Sequence, residues 1–187
     1  MAANISPLEP TQATGEALHL YQGLQKSLGT IPNILKTLGH APHLLESYLS
    51  FSQSLTQGSL DHKLIKQIAL YVAQLNACDY CISAHSHFGK RWGLDKHEAL
   101  MSREGKSSNA QTQAVLTFIA RLLAQRGHVT AGDISLLQLA GFHPKQQIEI
   151  LVVIGLNLLT NYLASAAGTE NDFPPVERVG VPLNFTI

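Results

Sequence analysis

Between Leu64 and Leu75 the apolar residues Leu64, Ile65, Ile68, Ala69, Val72 and Leu75 recur at three- and four-residue spacing. That is the period of a helix burying one face. Ser59 and Asp61 stand ahead of it as cap candidates. The same period runs through nearly the whole chain. Glu16 to Leu28 ends at Gly29, a short apolar piece from Ile34 to Leu38 ends at Gly39, and Pro42 opens a helix that closes at Gly58. Asn76-Ala77 is a break, after which a helix runs from Cys78 to about Arg91. Further helices follow Asp95, run from about Thr112 to Gln125, follow Thr130 with its partner Asp133, and follow Pro144. No alternating apolar and polar run bounded by turn signals marks a sheet. The expectation is a single all-α domain over 1–187, a bundle of about eight helices, with a redox core at about 59–105. Pro174, Pro175 and Pro182 make an extended C-terminal arm of 172–187.

The stretch Ile150–Ala167 reaches about the minimum length of a membrane span. Asn157, Thr160, Asn161 and Ser165 form a polar stripe along it, which reads as a core or interface helix rather than a spanner. The charges balance, 13 basic against 13 acidic, so no concentrated basic face points to nucleic acid. Charged residues make up only 14% of the chain, too few to coat a monomer comfortably. Subunit contacts are expected to cover part of the surface. Two cysteines are no secreted disulfide framework and no signal-peptide pattern opens the chain, so the expected setting is cytoplasmic.

Both cysteines fall in one segment, Cys78-Asp79-Tyr80-Cys81, with His85 four residues beyond. At about 100° per residue, Cys78, Cys81 and His85 share one helical face, and an i,i+4 imidazole can reach the Cys81 sulfur. A helix starting near Cys78 adds first-turn amides that favour thiolate. A thiol of ordinary pKa, about 8.5, is about 3% thiolate at pH 7, and one lowered to about 6.5 is about 75%. This suits peroxide chemistry: one thiolate becomes a sulfenic acid and its neighbour closes a disulfide. Spacing makes Cys81, beside His85, the sulfur oxidised first and Cys78 the resolving one. An external dithiol would then reduce an exposed disulfide.

Other readings of the same residues are less favoured. Two cysteines three apart also suit a plain apolar core position. A zinc site of Cys78, Cys81, His85 and His87 requires a broken helix, because His87 points about 200° from His85. Covalent haem needs His directly after Cys81, where Ile82 stands. No strand precedes Cys78, which argues against a thioredoxin-like context. Neither a metal nor a cofactor is implied.

The segment resembles the core of the alkylhydroperoxidase D and carboxymuconolactone decarboxylase superfamily, whose pattern is Glu, eleven residues, Cys-x-x-Cys, three residues, His. Ile31-Pro32-Asn33, Ala140-Gly141-Phe142 and Asp172-Phe173-Pro174 resemble its longer, peroxidase-related members. The resemblance covers about 15–176. It implies an all-helical fold, trimers or larger homo-oligomers, and reduction of hydrogen or organic peroxides with a dithiol donor. It also implies a peroxidatic Cys81, its partner Cys78, and His85 in the proton relay.

One position departs from that pattern. Twelve residues before Cys78, the family glutamate is replaced by Lys66. An ammonium cannot accept a proton unless burial first strips its own, although its charge still favours a nearby thiolate. Lys66 keeps one alternative open, a non-catalytic or weakly active oligomeric redox sensor. The lactone-decarboxylating branch of the family is a further reading, against which the Cys-x-x-Cys argues, since that chemistry has no need of paired thiols. Glu149 is the only other acid inside an apolar run, Asp79 should point away into solvent, and Tyr80 and Trp92 are candidates for the site wall. The remaining histidines read as surface or capping residues.

Overall fold

The computed structural model describes residues 3–177 and 179. Among them the chain forms nine α-helices, one 3-10 turn at 90–92 and no strand. The order is α1 (Gly15–Leu28), α2 (Asn33–Leu38), α3 (Pro42–Thr56), α4 (His62–Leu75), α5 (Asp79–Gly89), α6 (Lys96–Arg103), α7 (Ala110–Ala124), α8 (Ala131–Leu139) and α9 (Pro144–Ala167). The expected single all-α bundle is what forms. The ninth helix is α2, the apolar piece ending at Gly39. It gains an external cap, because the Asn33 amide donates to Asp172 Oδ2 at 2.8 Å.

Local chemistry sets the ends. Asp61 Oδ1 accepts from the Lys63 and Leu64 amides, and Asn109 Oδ1 from Thr112. Asp95 with Glu98, and Thr130 with Asp133, close reciprocal capping boxes. Pro42 and Pro144 each open a helix, where a missing N–H costs nothing. Gly29 stops α1 at φ +77, a conformation glycine adopts without a Cβ clash.

Helix α4 is the axle of the fold. Leu70 and Ala73 belong to an apolar cluster with α1, α2 and α5, while Leu64, Ile65, Ile68, Val72 and Leu75 belong to a second with α7, α8 and α9. Each fully buried leucine or isoleucine, such as Ile68 or Leu70, contributes about 1.5–3 kcal/mol. Only a helix lying between two layers needs apolar residues on both sides. The period read from the sequence belongs to the side facing α7, α8 and α9, and Leu70 and Ala73 make the other side apolar as well.

Helix α9 has the length and hydropathy of a membrane span, with half of its apolar window inside the fold. Ile150, Val153 and Ile154 pack in the second cluster, and Asn157, Thr160 and Asn161 are buried too. Its other side leaves Ile148, Leu159 and Tyr162 60–65% exposed. Beyond α9 the chain leaves helix as expected, and Phe173 anchors residues 172–177 edge-on to Tyr80 and Phe88. The remainder of the expected arm, 178 and 180–187, lies outside the described residues.

Candidate functional site

Asn76 ends α4, and Ala77 follows at φ +52, a left-handed turn unusual for alanine. This corner reverses the chain so that α5 runs back along α4. Cys78 is the N-cap of α5, and its Sγ accepts from the Cys81 amide at 3.3 Å. The two cysteines form a disulfide, with Cα atoms 5.3 Å apart. The corner is held from across the bundle, since Asn76 Nδ2 donates to Asn161 Oδ1 on α9 at 3.0 Å. Asn161 is fully buried, and its own Nδ2 has no partner among the described residues.

His85 lies one turn beyond Cys81, on the side of α5 that faces α4 and α9. Burial drives its pKa down to about 3, the Lys66 charge pushes the same way, and a hydrogen bond with Asn157 opposes both. Because that bond favours the protonated ring, the imidazole N–H donates and Asn157 Oδ1 accepts, while Asn157 Nδ2 donates to the Val153 carbonyl at 2.7 Å. The ring is therefore neutral at pH 7 and keeps one nitrogen as a proton acceptor. Lys66 is half-buried, forms no ion pair among the described residues, and has its own pKa lowered by desolvation. The sequence places Cys78, Cys81, His85 and Lys66 together, and the structure gathers them in the seam of α4, α5 and α9.

Several expectations need correction. Each cysteine is only 3% exposed in the single chain, so the disulfide is not the open one expected. The face it shares with His85 is the inward face of α5, because the hydrophobic face of a helix turns to the core. Tyr80 packs in the same apolar cluster as both cysteines, and its hydroxyl accepts from the Ile34 amide at 3.2 Å. Trp92 packs edge-on against His62, away from the cysteines. Glu149 does not reach the sulfurs either, since both its oxygens accept from the Ser59 amide. Asp79 is exposed but its charge acts on Arg103, a buried guanidinium that donates to Gln74 Oε1 at 2.8 Å and to the Glu177 carbonyl at 2.7 Å. His87 is exposed and stacks near Phe88 and Phe173, on the other side of α5 from His85. Asn157 and Asn161 are site residues whose role the sequence concealed. Their only signal was a polar stripe on an otherwise apolar helix.

The sequence pattern of the carboxymuconolactone decarboxylase family matches residues 42–120, from α3 through most of α7. No curated protein matches the sequence significantly. Solved structures share the fold over nearly the whole chain. An uncharacterized peroxidase-related protein from Silicibacter sp. TM1040 is 22% identical with a TM-score of 0.79, over 89% of this chain and 91% of that one. An uncharacterized peroxidase-related protein from Ralstonia eutropha JMP134, described as an alkylhydroperoxidase AhpD core, is 19% identical with a TM-score of 0.82, over 91% and 92%. The debrominase Bmp8, solved in complex with 2,3,4-tribromopyrrole, is 20% identical with a TM-score of 0.75, over 92% and 93%. The matched segment, residues 42–120, spans the cysteine pair and its histidine, and over nearly the whole chain the fold is the one shared by these AhpD-like structures.

Proposed function

We propose that the chain is a thiol-dependent peroxidase, with Cys81 as the attacking sulfur, Cys78 as the resolving sulfur and His85 as the proton carrier. The observation that carries this reading is the Cys78–Cys81 disulfide at the head of α5, one turn from a neutral imidazole. In the reduced protein the free His85 nitrogen relays the Cys81 proton as the sulfur attacks, because an imidazole with a pKa of about 3 does not hold it beforehand. The O–O bond of a peroxide ROOH breaks, Cys81 becomes a sulfenic acid, and ROH leaves with the relayed proton. The Cys78 thiol then displaces water from that sulfenic acid and closes the disulfide, the oxidised form described above. A dithiol donor returns both cysteines to thiols and is itself oxidised to a disulfide.

Lys66 shapes the first step through charge. Its ammonium favours the Cys81 thiolate, yet it also disfavours the imidazolium that forms with it. That opposition is the specific support for a second reading, a slowly cycling redox sensor. The exposed row of Ile148, Leu159 and Tyr162 supports a homo-oligomer that covers α9. The proposed setting is the cytoplasm, where reduced dithiols are available.

The test is steady-state consumption of hydrogen peroxide and of an organic hydroperoxide with a dithiol donor. It is run on the wild type, Cys81→Ser and Lys66→Glu. Turnover by the wild type that is abolished in Cys81→Ser supports the peroxidase. An inactive wild type with turnover in Lys66→Glu favours the sensor. Absence of turnover in both overturns the enzymatic reading.

A further inference from the structure

A cavity of about 370 Å³ opens on a different face of α4 from the cysteines, between the N-terminal ends of α4 and α7. We infer that it is a binding site for a small monocarboxylic acid with an apolar body, independent of the redox chemistry. The observation that points to a ligand is Gln67. It is 95% buried, lines the cavity, and its Oε1 accepts from the Thr112 hydroxyl at 3.5 Å, which turns the Nε2 donor the other way. That donor has no partner among the described residues. The Gln67 Nε2 is not among the sealed, unpartnered atoms of the core, so it is open to the space of the cavity that Gln67 lines.

The rest of the wall defines the ligand. Leu60, Leu64, Met101 and Phe142 provide an apolar surface. Both acidic lining groups already have donors of their own. Asp61 caps α4, and Glu98 is paired with Lys63 while its other oxygen accepts from the Asp95 amide. Hydrogen-bond donors remain at the rim. Lys106 lines the cavity while its partner Glu104 does not. Asn109 caps only the Thr112 amide, so the Ala110 and Gln111 amides of α7 still lack intrahelical acceptors. A carboxylate oxygen received by Gln67 Nε2, with its tail on the leucines and Phe142, satisfies both halves. The volume lies at the lower end of the range for small-molecule sites.

Hexanoate is the probe, titrated calorimetrically into the full chain, with 1-hexanol as the uncharged control. The expected result is saturable binding of hexanoate well above that of hexanol. Affinity should fall about tenfold in Gln67→Leu, which removes a hydrogen bond to a charged group. It should fall about fivefold in Lys106→Glu, a substitution at an exposed side chain that leaves the core untouched. Affinity should be unchanged in Cys81→Ser, so failure of the peroxidase reading leaves this one standing. The proposal is overturned by no binding up to about 20 mM, by equal binding of hexanol, by wild-type affinity in Lys106→Glu or in folded Gln67→Leu, or by loss of binding in Cys81→Ser.

Discussion

Lys66 acts on His85 across the seam between α4 and α5, and its charge holds the imidazole toward its neutral form. Where the superfamily pattern has a carboxylate, this chain has a cation, so the local electrostatics are reversed. Lys66→Glu should raise the His85 pKa well above that of the wild type, because an opposite charge favours the imidazolium. Lys66→Met should raise it less, by removing only the repulsion. Histidine NMR titration of the three proteins measures the order, and an unchanged His85 pKa in both variants would contradict the arrangement.

The same histidine predicts a pH dependence of stability. Its folded pKa of about 3 lies below the ordinary 6.5, so the unfolded chain binds more protons between those values. Stability is therefore greatest above about pH 6.5 and declines as pH falls toward 3. His85→Gln should flatten this decline relative to the wild type. Urea denaturation at pH 7 and pH 4.5 shows the difference.

Sulfurs that are 3% exposed cannot be met by a bulky reductant without some opening of the α4–α5–α9 seam. Reduction of the disulfide by dithiothreitol should accelerate in urea well below the unfolding midpoint, as expected when local opening exposes a site. Thiol release followed by mass spectrometry measures the rate. A rate indifferent to urea would mean the sulfurs are reached from the folded state directly.

Gly39 and Tyr21 make a tight contact: a Cβ at Gly39 would collide with the Tyr21 hydroxyl, which donates to the Leu8 carbonyl at 3.1 Å and the Lys36 carbonyl at 3.0 Å. Gly39→Ala should destabilise the protein by about 1–3 kcal/mol. Paired with Tyr21→Phe, whose hydroxyl is absent, the alanine should cost less. A double-mutant cycle of unfolding free energies reads the coupling.

Asp172→Ala removes the external acceptor of the α2 N-terminus and should cost about 1 kcal/mol. Asp172→Asn, which keeps an oxygen, should recover part of the loss. Thermal unfolding of the two variants separates them.

Most of the helical architecture was legible because it rests on neighbours in sequence. Asp61, Asp95 and Thr130 cap within three residues of themselves, and Cys78, Cys81 and His85 share a face by arithmetic alone. What that face meets was not legible. Periodicity says that one side of α5 is special without saying that it looks toward Lys66 and Asn157, which arrive from other helices. Asn33 and Asp172 are 139 residues apart, and both lie in words that resembled the longer superfamily members. Only folding shows that the two words are one contact. Glu149 is conspicuous as an acid in an apolar run, yet its partners are the Ser59 amide and hydroxyl, which no local pattern announces.

The sulfur of Cys78 is both one half of the disulfide and the first cap of α5. Because the Cys81 amide leans on that atom, gain or loss of two electrons at the pair also edits the opening turn of a helix. Any change in the bonding of that sulfur therefore reaches a backbone amide as well as its partner thiol.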